Sequence, residues 1–477
     1  MSKSSGPEIS IENLENKTAN VDPSIVPSGI GKRHVQALLM FFGTTIGYAM
    51  RVTISVAVVA MTDSSTTDSN VQTYDWDEST RSIILSSFFW GYIVTQVPGG
   101  YVAKNWSAQK LLSLGILFCS IFNMIIPAAA QIAGWSGVCA CRVGMGIAQG
   151  CLMPCMHTLL SKWAPVPERA RLSTFAYAGS LFGTVVMMAL CGILAASSLG
   201  WPSIFYISSS VGIVWAIAFF TWGSDSPALH KSISEDEKRY IQASFGQAQI
   251  DTEEEKIPIP WKEIFTSIPM WAIIIAHCTQ NWGYWLLITK IPGYMNAILQ
   301  FNITENGIVS ALPYLIMWIL SFPASWLSDY ALKKDVSKQV ARKVSNSIAH
   351  WGPALALVGL CYVRSDNAIL AVITITAAVG LNAGSICGFQ INHIDLSPNF
   401  AGTMMSITNC IAAVVAIIVP LVCALIVTDE TDAGQWKIVF FLTAAIYFVG
   451  NLIFVLFSKA EIQSWNNPEL AKVKEER

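Results

Sequence analysis

The chain has 477 residues, of which 13% are charged and 53% hydrophobic, with a formal net charge of -2 and a mean hydropathy of +0.49. An average soluble domain carries about 25% charged residues. The composition therefore excludes a disordered chain, a basic nucleic-acid binder and an ordinary soluble enzyme, and leaves a multi-spanning membrane protein.

Residues 1–33 are polar and read as a disordered cytoplasmic segment without a signal peptide. Apolar runs follow at 35–61, 81–103, 110–130, 135–160, 172–198 and 203–223. A polar stretch, 224–266, separates these from runs at 268–289, 306–327, 345–363, 367–388, 400–427 and 436–457. A spanning helix needs about 20 apolar residues. The runs do not alternate, so they are helices and not barrel strands. The expected architecture is all-α, with 12 transmembrane helices in two six-helix halves. These are residues 34–223 and 267–458, joined by a cytoplasmic linker, 224–266, and followed by a cytoplasmic tail, 459–477. Ser234 and Glu237 have capping-box spacing inside the linker.

Positive charge sets the orientation. With both termini inside, 23 of the 29 Lys and Arg residues face the cytoplasm. Four lie outside (Arg81, Lys290, Arg364, Lys437), and two lie within helices. All eleven cysteines fall in apolar stretches and read as small core hydrophobes, so no disulfide is expected. Asn302 begins a glycosylation sequon in a short outside loop.

Two loops repeat across the linker. Gly100 to Lys110 matches Ser325 to Lys334, and Trp163 to Arg171 matches Asp395 to Gly402. The offsets, 225 and 233, are nearly equal, as expected of duplicated halves.

The chemistry lies in the charges that the membrane should exclude. Inward of the run ends, where Arg81 and Lys437 sit, the apolar runs hold Arg51 and Arg142 and no acid. An arginine at a helix centre costs about 2.5–3.5 kcal/mol on insertion scales, and guanidinium does not shed its proton. Each arginine has a structural reading, bonded to backbone carbonyls. Two together, without a carboxylate, point to a small anionic substrate held by paired hydrogen bonds. Gly144, Gly146 and Gly150 read as close helix packing. Trp282, Tyr284 and Trp285 read as packing or interface residues, with a pocket wall as the alternative. His157, His277 and His350 are the in-helix candidates for proton coupling, and His157, beside Pro154, is the best placed. Asn382, Asn392 and Asn409 offer neutral oxygens to sodium. No metal-binding, nucleophile-elbow or phosphate-loop motif of an enzyme or ATP-driven pump is present.

The Gly100 loop resembles the major facilitator signature G-x-L-A-D-R-x-G-R-R, with Lys104 in place of its aspartate. The second copy keeps that acid as Asp329. From Tyr48-Ala-Met-Arg-Val-Thr-Ile-Ser55 onward the chain resembles solute carrier family 17, which holds type I sodium/phosphate cotransporters, sialin and the vesicular glutamate and nucleotide transporters. Arg142 to Arg171, Asn281-Trp-Gly-Tyr, Asn392 to Gly402 and Ala460 to Trp465 carry the rest of the likeness, which is nearest to insect proteins named as inorganic phosphate cotransporters. The resemblance implies the major facilitator fold and alternating access. It implies anion recognition at Arg51 and Arg142, a transport role for His157 and conformational gating at Asp329. Gln149, Met145 and Gln280 stand where family members carry two glutamates and an arginine. These departures argue against a glutamate loader and weaken proton symport.

The reading is therefore a non-enzymatic secondary transporter of inorganic phosphate or organic anions. It needs no cofactor, with sodium as the coupling ion (Asn382 and Asn409 its candidate ligands), and works as a monomer in the lipid bilayer, at the plasma membrane. Its alternatives are a proton-coupled carrier of acidic sugars and a non-transporting anion sensor.

Overall fold

The computed structural model describes residues 29–62, 72–165, 168–244, 259–364, 367–397 and 400–466. The segment read as disordered therefore lies almost wholly outside the described residues. Among these residues all the regular structure is helical. The first half contains α1 (Lys32–Thr62), α2 (Glu78–Val102), α3 (Ala108–Gln149), α4 (Leu152–Trp163), α5 (Arg169–Ala195) and α6 (Pro202–Trp222). Two short helices follow, α7 (Glu235–Ser244) and α8 (Trp261–Thr266). The second half contains α9 (Ile268–Ala297), α10 (Ile303–Lys333), α11 (Lys338–Leu360), α12 (Ala368–Leu381), α13 (Ile391–Leu396), α14 (Ala401–Ile426) and α15 (Ala433–Phe457).

Among the described residues, eight helical segments are long and apolar enough to cross a membrane. One of them, Ala108–Trp163, is a double span. The chain reverses within it at Gly134, whose φ of 60° and ψ of -143° suit a residue without a side chain. The long helices α2, α9 and α11 carry more polar side chains and complete the twelve crossings. An even number of crossings leaves both termini on one face, called proximal here; the other is the distal face.

Local chemistry sets the helix ends. The Asp77 side chain accepts from the Thr80 amide at the start of α2. Asn302 and Glu305 form a full capping box at the start of α10. The Asn302 carbonyl of the glycosylation sequon is therefore engaged in a helix cap. The first repeat loop continues α2 as a π-helical turn, Ala103–Ser107. Between α12 and α13 the chain is irregular, with a 3-10 segment, Asn382–Ser385, and a π segment, Ile386–Gln390, bent at Gly388.

The halves meet through α1 against α9, α2 against α14 and α5 against α10. Glycines bring α2 and the second arm of α3 together. A side chain on Gly146 would strike the Phe88 carbonyl, and one on Gly91 the Val143 carbonyl.

The polar stretch 224–266 is more than a tether. Its helix α7 is docked on the first half. The Glu237 carboxylate accepts from the Lys32 amide at 2.8 Å and from the Arg33 amide at 3.0 Å, and it pairs with the Arg33 guanidinium. The capping box read from Ser234 and Glu237 is half formed. Ser234 accepts from the Glu237 amide, while the glutamate is used on α1 instead.

Candidate functional site

Arg51 sits midway along α1 and Arg142 near the end of α3, with 4% and 2% of their surfaces exposed. They are neighbours. The Arg142 Nη1 donates to the Arg51 backbone carbonyl at 3.4 Å, and the two guanidiniums lie over the same Phe88 ring, 4.9 and 5.1 Å from its centre. Arg51 is further boxed by Tyr48 at 4.5 Å, Tyr92 at 4.8 Å and Trp285 at 6.0 Å. Trp285 reaches it from α9, so the second half closes the box. Cation–π contact is worth about 2 kcal/mol or more per desolvated pair. This offsets part of the cost of burial without neutralising the charge.

The polar partners are neutral. Arg51 Nη2 donates to the Gln149 side-chain carbonyl at 3.1 Å. Gln149 Nε2 in turn donates to the Gly47 carbonyl at 2.9 Å. The Nε atoms of both arginines are buried without a hydrogen-bond partner. Among the described residues, neither arginine takes part in an ion pair. A buried unpaired donor on a charged group is costly, and the group that would satisfy it is an anion. The structure thus brings together Arg51 and Arg142, and adds Gln149, Tyr48, Phe88, Tyr92 and Trp285. The spacings Tyr48/Arg51 and Phe88/Tyr92, three and four residues apart on a helix, were the sequence signal for the box.

His157 lies apart from the arginine pair, on the proximal side of the break at Gly150 and Cys151 between α3 and α4. It is exposed, with its ring 5.3 Å from that of Tyr177. Asn382 is buried and fully engaged, donating to the Ala378 carbonyl and accepting from the Tyr447 hydroxyl at 3.1 Å. Asn409 is half-buried on α14. Asn392 is fully buried, with neither amide atom partnered. Asp329 lies in α10, and its side chain is outside the described residues. His277 and His393 share the Thr408 hydroxyl at 3.1 and 3.0 Å, and His350 packs between the Asn346 and Ala276 carbonyls. All three are buried in the second half, and both ring nitrogens of His350 face carbonyl acceptors, of which a neutral imidazole can satisfy one.

A second buried charge group was not legible in the apolar runs. At the distal face Glu78 opens α2, with 8% exposure, and pairs with Lys290 of α9, with 5%. Lys290 also donates to the Ser82 hydroxyl at 2.8 Å. Arg81 pairs with Glu430, in the loop between α14 and α15, at 2.7 Å, and approaches Glu78 at 3.4 Å. Arg81 and Lys290 are thus not loop charges facing solvent, as the charge distribution implied. α2 begins before its apolar run and α9 continues past its own, because opposite charges neutralise one another there.

A family profile described as "Major Facilitator Superfamily" matches residues 40–420. A Drosophila ananassae protein named "Putative inorganic phosphate cotransporter" is 40% identical over 90% of this chain and 93% of its own. Human sialin is 37% identical over 91% of this chain and 90% of its own. The fold also matches an inward open structure of the xylose transporter XylE from E. coli. There the TM-score is 0.69 at 13% identity, over 93% of this chain and 99% of that one.

Proposed function

The chain belongs to the major facilitator superfamily, in the group that holds sialin and proteins named for phosphate cotransport, and from that premise we propose that it carries inorganic phosphate or an organic anion across a membrane by alternating access, in symport with sodium. One observation carries the reading: two adjacent buried guanidiniums meet only neutral partners and keep an unfilled donor each. A phosphate or carboxylate supplies both the missing charge and the missing acceptors, through paired N–H···O bonds. Closure of the Trp285 side against Arg51 ties occupation of the site to the approach of the two halves.

Sodium coupling has support in the second half. The helix break at 382–390 takes carbonyls out of the regular ladder, and such breaks coordinate coupling cations in transporters.

The test is phosphate uptake into proteoliposomes, with sodium or potassium outside, at two pH values, beside Arg142→Ala. Sodium-stimulated uptake that the variant loses is expected. Absence of phosphate uptake under every gradient moves the substrate to organic carboxylates. Uptake driven by acid and abolished by His157→Ala would replace sodium by the proton.

A further inference from the structure

Four charged side chains stitch the two halves together at the distal face. Glu78 and Arg81 come from α2 of the first half, Lys290 from α9 and Glu430 from the α14–α15 loop of the second. Among the described residues, these are the ion pairs that cross between the halves. At the proximal face, Arg33 pairs with Glu168 and Glu237, on the first half and its docked linker, and Arg342 pairs with Asp395, both in the second half. Movement that opens the distal face must therefore break the Lys290–Glu78 and Arg81–Glu430 ties, while no comparable tie crosses the proximal face among the described residues.

We propose that this cluster is the gate of the distal face and that Glu430 is its proton-binding group. The closed face takes up a proton there, and parting of the halves releases it to the solution on the distal side. The proposal rests on the alternating-access reading above.

The surroundings of Glu430 give the sign. It faces Glu78 and Arg81 of α2, Lys290 of α9 and Cys423 of α14. Asp429 and Asp432 flank it in its own loop, and Trp436 of α15 donates to its backbone carbonyl. Burial, then the facing Glu78 carboxylate, pushes Glu430 up to about 7, against the pull of Arg81. In the open state the group is hydrated and returns toward its ordinary value of about 4.5. The state with the higher pKa is favoured by protons. Acid on the distal side therefore favours closure, and alkali favours opening. With values of about 7 closed and about 4.5 open, the closed-to-open ratio rises roughly tenfold between pH 8 and pH 6. The proton enters and leaves from the same side, so it regulates the carrier without being transported.

Cys423 reports on the gate. It is buried in α14, within electrostatic reach of Lys290, Glu78 and Glu430. The full chain in lipid nanodiscs would be labelled with a maleimide, and the rate at Cys423 read by peptide mass spectrometry. That rate is divided by the rate for the unfolded chain at the same pH, which removes the intrinsic pH dependence of thiol chemistry. The native-to-unfolded ratio is expected to fall about tenfold from pH 8 to pH 6. In Glu430→Gln it is expected to stay at the low, acid-like value throughout. Lys290→Glu, with three acids facing one base, should raise it at least tenfold at pH 8. A pH-independent ratio in the unaltered chain overturns the proton role without needing any variant to fold. Persistence of the pH dependence in Glu430→Gln overturns the assignment to that residue, and an unchanged ratio in Lys290→Glu overturns the gate. Labelling needs no transported solute. A chain that moves no phosphate or carboxylate yet shows these shifts would fail the proposed function and keep the gate.

Discussion

Two groups of buried charge sit in this bundle, one at the distal face and one at its centre. The distal group has two acids and two bases, interleaved so that each charge meets its opposite. The central group has two guanidiniums, four aromatic rings and a glutamine. Both are desolvated, but only the first is balanced. A balanced cluster needs no further ion, so its energy goes into holding two surfaces together. An unbalanced one keeps its positive potential until something negative arrives. The same residue types thus give a fastening in one place and a binding site in the other, and the difference is the presence of carboxylates.

Removing the central charge erases the difference between the two groups most completely. Arg142→Ala deletes a fork that would donate at least two bonds to an anion. Each bond to a charged group is worth roughly 1.5–3 kcal/mol, so the initial uptake rate at low substrate should fall by at least about 100-fold. Arg142→Lys keeps the charge but not the planar fork, and should recover only part of the loss. Equal uptake in all three proteins would leave the arginine a structural residue.

Next in size is the change that makes the centre resemble the rim. Gln149→Glu places an acid 3.1 Å from the Arg51 guanidinium, supplying internally the counter-charge that the substrate is argued to bring. Anion affinity at neutral pH, measured by competition against labelled substrate, should drop by roughly 30-fold, or about 2 kcal/mol. A variant that binds its anion as well as the unaltered chain would show that Arg51 does not face the substrate.

The converse change unbalances the rim. Arg81→Glu gives three acids against one base, and Glu430→Arg gives three bases against one acid. Either alone should loosen the distal face by about tenfold in the Cys423 labelling ratio, and the double exchange should restore it. Recovery in the double variant is the sign of a pairwise tie rather than of general damage.

How much of this was legible depends on how a hydropathy reading treats isolated and paired charges. Arg51 and Arg142 stood out because no acid lies within the same apolar runs, and that solitude is also their function. Glu78 and Lys290 escaped because each lies just beyond the end of an apolar run. Scored singly, each is too polar to bury, and only tertiary contact brings the two together. The signal available was one unmatched acid and one unmatched base at helix ends on the same face, in opposite halves. Gln149 was read as an absent proton-linked glutamate. The structure gives it work of its own, holding Arg51 and tying α3 to the Gly47 carbonyl. The capping-box spacing marked the start of α7 but concealed its docking, because Glu237, which holds it to the first half, looked like an ordinary cap.

That attachment supplies the smallest expected effect, and it separates fastening within a half from fastening between halves. Glu237 accepts two amides at the start of α1 and pairs with Arg33, which also pairs with Glu168. Tyr240 of the same helix lies 5.4 Å from the Arg33 guanidinium. Glu237→Ala removes one of two carboxylates and leaves Arg33 with the other, so the loss is about 1–2 kcal/mol, at the level of a helix cap rather than of an orphaned buried charge. The melting temperature should fall by only a few degrees, and protease should cut the 224–266 stretch faster as α7 lets go. Every tie lost lies between the first half and its own linker. The Cys423 labelling ratio and its pH dependence should therefore stay as they are. A change in that ratio would mean that α7 reaches the distal gate through α1, and the two faces would then have to be treated as one coupled device.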